Sequence, residues 1–91
     1  MTTIHKKIWP KYFDDVASGK KKFELRLADF TVSAGDTLVL EEWDPHTKQY
    51  TGRSTTVNAT YVIKTKDLPF FDQHNVETYG YQVIQIEKEQ Q

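Results

Sequence analysis

The sequence has no cysteine, and this absence removes several classes of protein from consideration. Without thiols the chain cannot form disulfides, bind zinc through thiolates or use a cysteine nucleophile. It also lacks any apolar run near the ~20 residues that a membrane-spanning helix needs, and residues 1–7 lack the apolar stretch of a secretory signal peptide. We therefore expect a protein of a reducing compartment, the cytoplasm, with no membrane partner.

The residues that are present suffice for one small domain. The 91-residue chain is near the usual size of a single domain, and 37% of its residues are hydrophobic, 27% charged and 13% aromatic. That composition is polar for a globular protein, but it is not typical of disorder. We expect a single domain over residues 1–91, with residues 88–91 as a polar tail.

Basic residues are concentrated at the N-terminal end, although the net charge is only −1. Residues 1–26 carry seven basic and three acidic side chains, whereas residues 27–91 carry five basic and ten acidic ones. A basic N-terminal third favours a local anionic partner such as phosphate or nucleic acid, and the absence of a second basic region argues against a long duplex. The alternative interpretation is a solvated, lysine-rich surface.

The apolar pattern predicts a mainly β, α+β protein with one main helix. Pro10 fits the first position of a helix over residues 10–18, and Gly19 fits its left-handed end. A further helical turn is predicted over residues 67–71. Strands are predicted over residues 4–9, 23–27, 37–43, 52–63 and 79–87. About five strands with one short helix cannot bury a flat sheet, so we expect a small barrel.

The segment after the helix alternates strictly between apolar and polar residues. One face carries three apolar side chains that we expect to point inward: Phe23, Leu25 and Leu27. The other face carries Lys22, Glu24 and Arg26. Strict alternation puts Lys21 on the apolar face, so Lys21 reaches Glu24 and Arg26 only if regular strand has not yet begun at that residue.

Glu24 and Arg26 are the strongest candidates for binding chemistry. A guanidinium at Arg26 can hold a phosphate or carboxylate through two N–H groups. A carboxylate at Glu24 can orient that guanidinium or accept a hydrogen bond from the amine of a base. The alternative is an exposed ion pair on the strand, which would contribute only ~0–1 kcal/mol.

The spacing Gly19-x-Lys21-x-x-Glu24-x-Arg26, following a short helix, resembles the signature of ASCH domains, which are small β-barrels of the PUA-like superfamily. Four further segments resemble an uncharacterised bacterial and phage branch of that superfamily: Lys7-Ile8-Trp9-Pro10-x-Tyr12-Phe13, Gly35-Asp36, Glu42-Trp43-Asp44-Pro45 and Tyr50-Thr51-Gly52-Arg53. The resemblance implies a PUA-like barrel with a cleft beside the helix, lined by Lys21, Glu24 and Arg26.

The resemblance also implies a function, because PUA-like domains commonly bind RNA or modified bases. The leading expectation is therefore a nucleic-acid- or nucleotide-binding module for RNA or a modified base. A second expectation follows from ASCH proteins that are amidohydrolases and remove acetyl from acetylcytidine. In such an enzyme Lys21 would act as base or nucleophile activator and Glu24 as acid/base. A third expectation is a protein-interaction module.

The hydrolase expectation requires a nucleophile. The amidohydrolase branch has threonine where Glu24 stands in this chain, so the hydroxyl is missing at that position. Thr37 or Thr51 could supply a hydroxyl only if folding brings one of them beside Lys21.

Three more residues are candidates for ligand contact. Lys7 belongs to the basic N-terminal third, Arg53 follows the permissive Gly52, and Trp43 can stack a base at ~1–3 kcal/mol. The alternatives are an ion pair of Arg53 with Glu41 or Glu42, and a place for Trp43 in the core.

We expect no metal and no cofactor. The three histidines have no metal-ligand spacing: His5, His46 and His74. A monomer is the favoured state.

Overall fold

The computed structural model describes residues 1–68 and 80–89, and within them the chain forms five β-strands and one α-helix. In chain order these are β1 (Thr3–Ile8), α1 (Pro10–Ala17), β2 (Phe23–Leu27), β3 (Thr37–Asp44), β4 (Gln49–Lys64) and β5 (Tyr81–Lys88), with a 3₁₀ turn at Thr65–Asp67 after β4. The predicted class, mainly β with one main helix, is confirmed. The helical turn predicted over residues 67–71 and the histidine His74 lie wholly or partly outside the described residues.

The strands form one sheet in the order β1-β3-β4-β5-β2. β1 pairs with β3 in parallel, and the other neighbouring strands pair antiparallel. The sheet curls into a half-barrel whose two edges are β1 and β2. The chain segment that leads from β1 to β2 contains α1, so the helix and both sheet edges come from the first 27 residues.

Helix α1 begins and ends where the sequence directs it. Trp9 precedes it in an extended conformation (φ −74°, ψ 149°), and Pro10 takes the first helical position, where a missing N–H costs nothing. Phe13 and Val16, three residues apart, are its buried side chains and pack it against β3 and β4. Gly19 follows at φ +83°, a left-handed conformation that favours glycine and turns the chain towards β2.

The hydrophobic core lies between α1 and the sheet. Its buried members come from β1, α1, the loop before β3 and the three central strands: Ile8, Phe13, Val16, Val32, Leu38, Leu40, Val57, Ala59, Ile84 and Ile86. Val32 is therefore a loop residue that reaches the core, and Phe30 packs against the core as a partly buried neighbour.

The turn before β3 fixes the start of β1. Asp36 is buried, and its carboxylate accepts one hydrogen bond from the Thr2 N–H and one from the Ser33 N–H, each at 2.9 Å. These two backbone donors hold the pKa of Asp36 below its ordinary value, against the opposing effect of burial. The turn therefore joins β1 to β3 through a carboxylate that is charged in the folded protein.

The prediction for the two faces of β2 is wrong. Phe23, Leu25 and Leu27 are 49%, 59% and 47% exposed, whereas Glu24 is only 3% exposed. β2 is an edge strand, and exposed apolar side chains of β4 and β5 continue its outer face: Tyr61, Ile63, Tyr81 and Val83. The inner face accepts the polar side chains because two cations neutralise the buried carboxylate.

Within the described residues, no helix is both long enough and apolar enough to cross a membrane.

Candidate functional site

A cleft of about 440 Å³ opens between the end of β1, the first turn of α1 and the edge strand β2. The two sheet edges are not paired with each other, and the cleft occupies part of the gap between them. Nine residues line it: Lys7, Ile8, Trp9, Tyr12, Lys21, Phe23, Glu24, Leu25 and Arg26. Four of the six site residues predicted from the sequence are thus brought together in one hollow.

Glu24 is the buried centre of the cleft. Its Oε1 atom accepts a hydrogen bond from Lys21 Nζ at 2.7 Å. Its Oε2 atom accepts two from Arg26, at 2.9 Å from Nε and 2.7 Å from Nη2. Both carboxylate oxygens are therefore engaged by cations, which is the condition under which a charged group can be buried at low cost. We call Lys21, Glu24 and Arg26 the cleft cluster.

Lys21 reaches Glu24 because it lies outside the regular strand. β2 begins at Phe23, and the Lys21 N–H donates to the Asp15 carbonyl of α1 at 2.8 Å. The end of the helix thus sets the backbone of Lys21 independently of strand alternation. The Lys22 carbonyl, by contrast, accepts a hydrogen bond from the Ile86 N–H of β5, and the Lys22 side chain is exposed outside the cleft.

The cleft cluster has more positive charge than its carboxylate neutralises. Two cations share one anion, so the cluster carries a net charge of about +1, and the exposed Lys7 adds another positive charge at the rim. Arg26 uses two of its five N–H donors on Glu24, and Lys21 uses one of three. Their side chains are 22% and 19% exposed, so the remaining donors can meet an anion that enters from solvent.

Aromatic side chains form the walls around this charge. Trp9, Tyr12 and Phe23 are 52%, 42% and 49% exposed. Lys21 Nζ lies 5.6 Å from the Tyr12 ring centroid and 5.0 Å from that of Phe23. Sequence reasoning assigned none of the three to the site. The one signal that could have found two of them is the position of Trp9 and Tyr12 around Pro10, which places them at the helix start that faces the cleft.

The structure places Arg53 outside the cleft, in the ion pair that was its alternative interpretation. Arg53 Nε and Nη2 donate to the two carboxylate oxygens of Glu42 at 2.9 and 2.7 Å, and Nη1 donates to Asp14 at 3.2 Å. The guanidinium carbon lies 4.5 Å from the Phe13 ring centroid. Arg53 thereby joins β4 to both β3 and α1.

Glu42 is a buried carboxylate, like Glu24 and Asp36, and is only 2% exposed. Besides Arg53, it accepts a hydrogen bond from Thr51 Oγ1 at 2.5 Å. These donors hold the pKa of Glu42 below its ordinary value, and the hydrogen bonds to Glu42 in turn raise the pKa of Arg53. We call Asp14, Glu42, Thr51 and Arg53 the helix clamp, because the set fastens α1 to the sheet.

Trp43 also lies outside the cleft, on the β3–β4 hairpin. Its ring is half-buried, and Lys7 Nζ lies 4.4 Å from the ring centroid. Lys7 thus contacts Trp43 while it lines the cleft.

Neither Thr37 nor Thr51 places beside Lys21 the hydroxyl that a hydrolase would need. Thr51 donates to Glu42, and Thr37 bonds to Asn58 at 3.2 Å. Neither lines the cleft, where Tyr12 has the only hydroxyl among the nine lining side chains. In the part of the chain that the structure describes, no three side chains of the metal-binding types cluster in a way that could hold an ion.

The chain is similar to a phage protein in sequence and to a solved structure in fold. An uncharacterised 12.9 kDa protein in the GpA 3' region of Escherichia phage P2 is 41% identical over 68 residues, which are 74% of this chain and 61% of the phage protein. This chain therefore matches less than two thirds of that relative's length. The crystal structure of hypothetical protein PH0355 shares the fold, with a TM-score of 0.64 at 18% identity over 98% of this chain and 100% of that one.

The family model covers nearly the whole chain. Residues 4–85 match the model described as Domain of unknown function (DUF3850), a span that includes α1, the cleft cluster and the helix clamp. The chain belongs to the DUF3850 family.

Proposed function

We propose that the protein is a nucleic-acid- or nucleotide-binding module of the ASCH/PUA-like class, and that RNA or a modified base binds in the cleft beside α1. The observation that carries the proposal is the cleft cluster, in which one buried carboxylate holds two cations that keep unused donors. One cation would already neutralise this carboxylate, so the second leaves a net positive charge in the cleft.

Glu24 pre-organises the two cations for an anion. Its hydrogen bonds to Lys21 and Arg26 fix both side chains before a ligand arrives, so less side-chain entropy is lost on binding. The outer edge of the guanidinium then offers parallel N–H groups in the geometry that suits a phosphate or the acceptor edge of a base.

The aromatic walls of the cleft can recognise the base of a nucleotide. A base that entered between Trp9, Tyr12 and Phe23 would find flat apolar surface, and base–aromatic stacking contributes ~1–3 kcal/mol per base. Charge alone would suit any small anion, whereas charge with three half-exposed rings suits an anion that carries a planar group. Nucleotides have that chemistry.

A titration followed by NMR tests the proposal. Adenosine monophosphate or a short RNA is added to ¹⁵N-labelled protein, and we expect the amide shifts of the residues that line the cleft to change. Lys21→Ala should weaken binding about tenfold or more, because it removes a charged donor from the ligand's surroundings.

Lys22→Ala is the matched control. It removes the same charge from the neighbouring residue, which is exposed outside the cleft, and we expect it to change affinity by no more than about twofold through screened charge alone. Equal losses for the two variants, or shifts spread over the surface, would overturn the cleft as the site.

The alternative is hydrolysis of an acyl group from a modified nucleoside such as acetylcytidine. One observation favours it, namely the 2.7 Å contact between Lys21 Nζ and Glu24, the two groups that would carry the chemistry. The missing threonine hydroxyl counts against it. Incubation with acetylcytidine and chromatography of the products tests the hydrolase alternative. Failure to detect cytidine at high protein concentration would rule it out.

A third possibility is a protein-interaction module. In that case a partner protein would be captured from solution, and its capture would survive ribonuclease treatment.

A further inference from the structure

The tip of the β3–β4 hairpin carries an aromatic pair that the cleft does not use. Trp43 and Tyr50 are cross-strand partners in the sheet register. Trp43 is half-buried, and Tyr50 is 56% exposed. Facing aromatic side chains of this kind stabilise a hairpin, but Tyr50 also leaves most of its ring open to solvent.

Lys7 links this pair to the cleft. Its Nζ atom lies 4.4 Å from the Trp43 ring centroid and 5.8 Å from that of Tyr50. The same side chain lines the cleft next to Trp9. The surface therefore presents aromatic rings in the cleft, then a cation, then a second set of aromatic rings.

The acidic side chains of β3 near this surface already have partners. Glu41 faces His5 at 3.6 Å, and Asp44 accepts the His46 N–H at 2.8 Å in the hairpin turn. A phosphate at Lys7 would thus approach a lysine that lies over aromatic rings, and such contacts leave its hydrogen-bond donors available.

We infer that the binding surface extends from the cleft to Trp43 and Tyr50, and that the ligand is a single-stranded nucleic acid of at least two nucleotides. Successive bases in a single strand are separated by a phosphate, and the protein offers aromatic, cation and aromatic in the same order. One base occupies the cleft, Lys7 holds the linking phosphate, and the next base stacks at the hairpin pair. This inference rests on the proposed function and names the ligand class for it.

A length series of adenylates tests the inference. The affinities of adenosine monophosphate, diadenylate and tetraadenylate are measured by calorimetry, with matched RNA and DNA oligomers to distinguish the two sugars. We expect the tetranucleotide to bind at least about tenfold more tightly than the mononucleotide. Four equivalent nucleotides would give at most about a fourfold statistical gain, so the second site must account for the rest.

Two exposed tyrosines of β4 make a matched pair of variants. Tyr50 is 56% exposed and Tyr61 is 59% exposed, so neither substitution removes core packing. Tyr50→Ala should lower tetraadenylate affinity about fivefold or more and leave the monophosphate affinity unchanged. Tyr61 faces β5 and lies outside the cleft and the hairpin tip, so Tyr61→Ala should change neither affinity.

The outcomes separate this inference from the proposed function. If mononucleotide and tetranucleotide bind equally well, or if Tyr50→Ala and Tyr61→Ala behave alike, the extended surface is wrong while the cleft stands. If Lys21→Ala also leaves binding unchanged, or if no adenylate or other short oligonucleotide binds, both proposals fail. Binding of a polypeptide at Tyr50 in place of nucleic acid would overturn the ligand class.

Discussion

Among the residues that the structure describes, two glutamates are buried, and their surroundings differ in one respect that separates a binding arrangement from a fastening one. Glu24 and Glu42 are 3% and 2% exposed, and each accepts two hydrogen bonds from one arginine. In the cleft cluster two cations share one carboxylate. In the helix clamp two carboxylates, Glu42 and Asp14, share the one cation of Arg53.

The ratio of cations to carboxylates determines whether each cluster can bind an anion. The cleft cluster has a net charge of about +1 and unused N–H donors, whereas the helix clamp has about −1 and a guanidinium that donates through Nε, Nη1 and Nη2. An entering anion is attracted to the first cluster and repelled by the second. The arginine that is more exposed, Arg53 at 54% against 22% for Arg26, is thus the less suited to bind a ligand.

The largest expected effect comes from removing each arginine in turn. Arg26→Ala should lower nucleotide affinity by about 10- to 100-fold, because charge-assisted hydrogen bonds are lost, while Glu24 keeps Lys21 as its partner and the fold stays intact. Arg53→Ala should lower Tm by about 5 to 15 °C, because Glu42 stays buried with only Thr51 as a donor. Calorimetric binding and thermal unfolding of both variants measure the two effects.

If the two clusters have different roles, Arg26→Ala should lower affinity and Arg53→Ala should lower stability. Arg53→Ala should leave affinity within about twofold at a temperature where it is folded. If both variants lose affinity together, or if both lose only stability, the two clusters do not divide the roles as their charge ratios indicate.

The next largest effect should be a loss of stability at acid pH, when the helix clamp weakens. The folded pKa of Glu42 lies below its ordinary value of 4.5, so its contribution to stability is present above about pH 5 and is lost as the pH falls through the folded pKa. Asp36, with an ordinary value of 3.8, acts in the same direction. Tm should therefore fall as the pH is lowered from 5 towards 3.

Glu42→Gln isolates the contribution of the clamp to this dependence. The variant should have a lower Tm at pH 7 and a shallower fall at acid pH, since Asp36 alone of the two shifted carboxylates remains. An unchanged pH profile in circular-dichroism melts of Glu42→Gln would show that the Glu42 ion pair does not contribute to the folded state's preference for neutral pH.

The salt dependence of binding should distinguish Lys21 in the cleft cluster from its exposed neighbour Lys22 by a smaller effect. Two to four phosphate contacts on a single strand predict a slope of about −1.4 to −2.8 for log affinity against log salt concentration. Lys21→Ala should make that slope shallower by about 0.7, and Lys22→Ala should leave it nearly unchanged. A flat dependence for the native protein would contradict phosphate contact in the cleft.

The smallest effect concerns the outer face of β2. Leu25→Ser, at a side chain that is 59% exposed, should change the free energy of unfolding by no more than about 0.5 kcal/mol. Leu40→Ala, at a fully buried leucine of β3, should cost about 2–5 kcal/mol in the same urea titration. A similar cost at both leucines would mean that β2 turns its apolar face to the core, and the cleft cluster would then have to face solvent.

The cleft cluster was accessible to sequence reasoning because its partners are near one another in the chain. Glu24 is two residues from Arg26, so spacing put these two on one face of the strand, whereas Lys21, three residues before Glu24, joined them only through the resemblance to the ASCH signature. The same spacing misjudged β2, because apolar alternation indicates which side chains share a face but not which face is buried. In the structure the paired carboxylate of Glu24 is buried, and the three apolar side chains of β2 are exposed.

The helix clamp could not be predicted as a unit. The sequence offered Glu42 as one of two ion-pair partners for Arg53, but the link from Arg53 to Asp14 joins residues 39 apart and depends on how α1 docks against β3 and β4. The aromatic wall of the cleft was missed for a related reason. Trp9 and Tyr12 precede and begin a helix, and only the open gap between β1 and β2 makes their exposed rings part of a site.

A crystal structure of the protein with a bound tetraadenylate would show whether the cleft cluster holds the ligand. We expect a phosphate or base oxygen within hydrogen-bonding distance, about 3 Å, of the Arg26 guanidinium, with Glu24 still paired to Arg26 and Arg53 still paired to Glu42. A nucleotide found away from the cleft, or one that contacts Arg53 while Arg26 and Lys21 remain solvated, would contradict it.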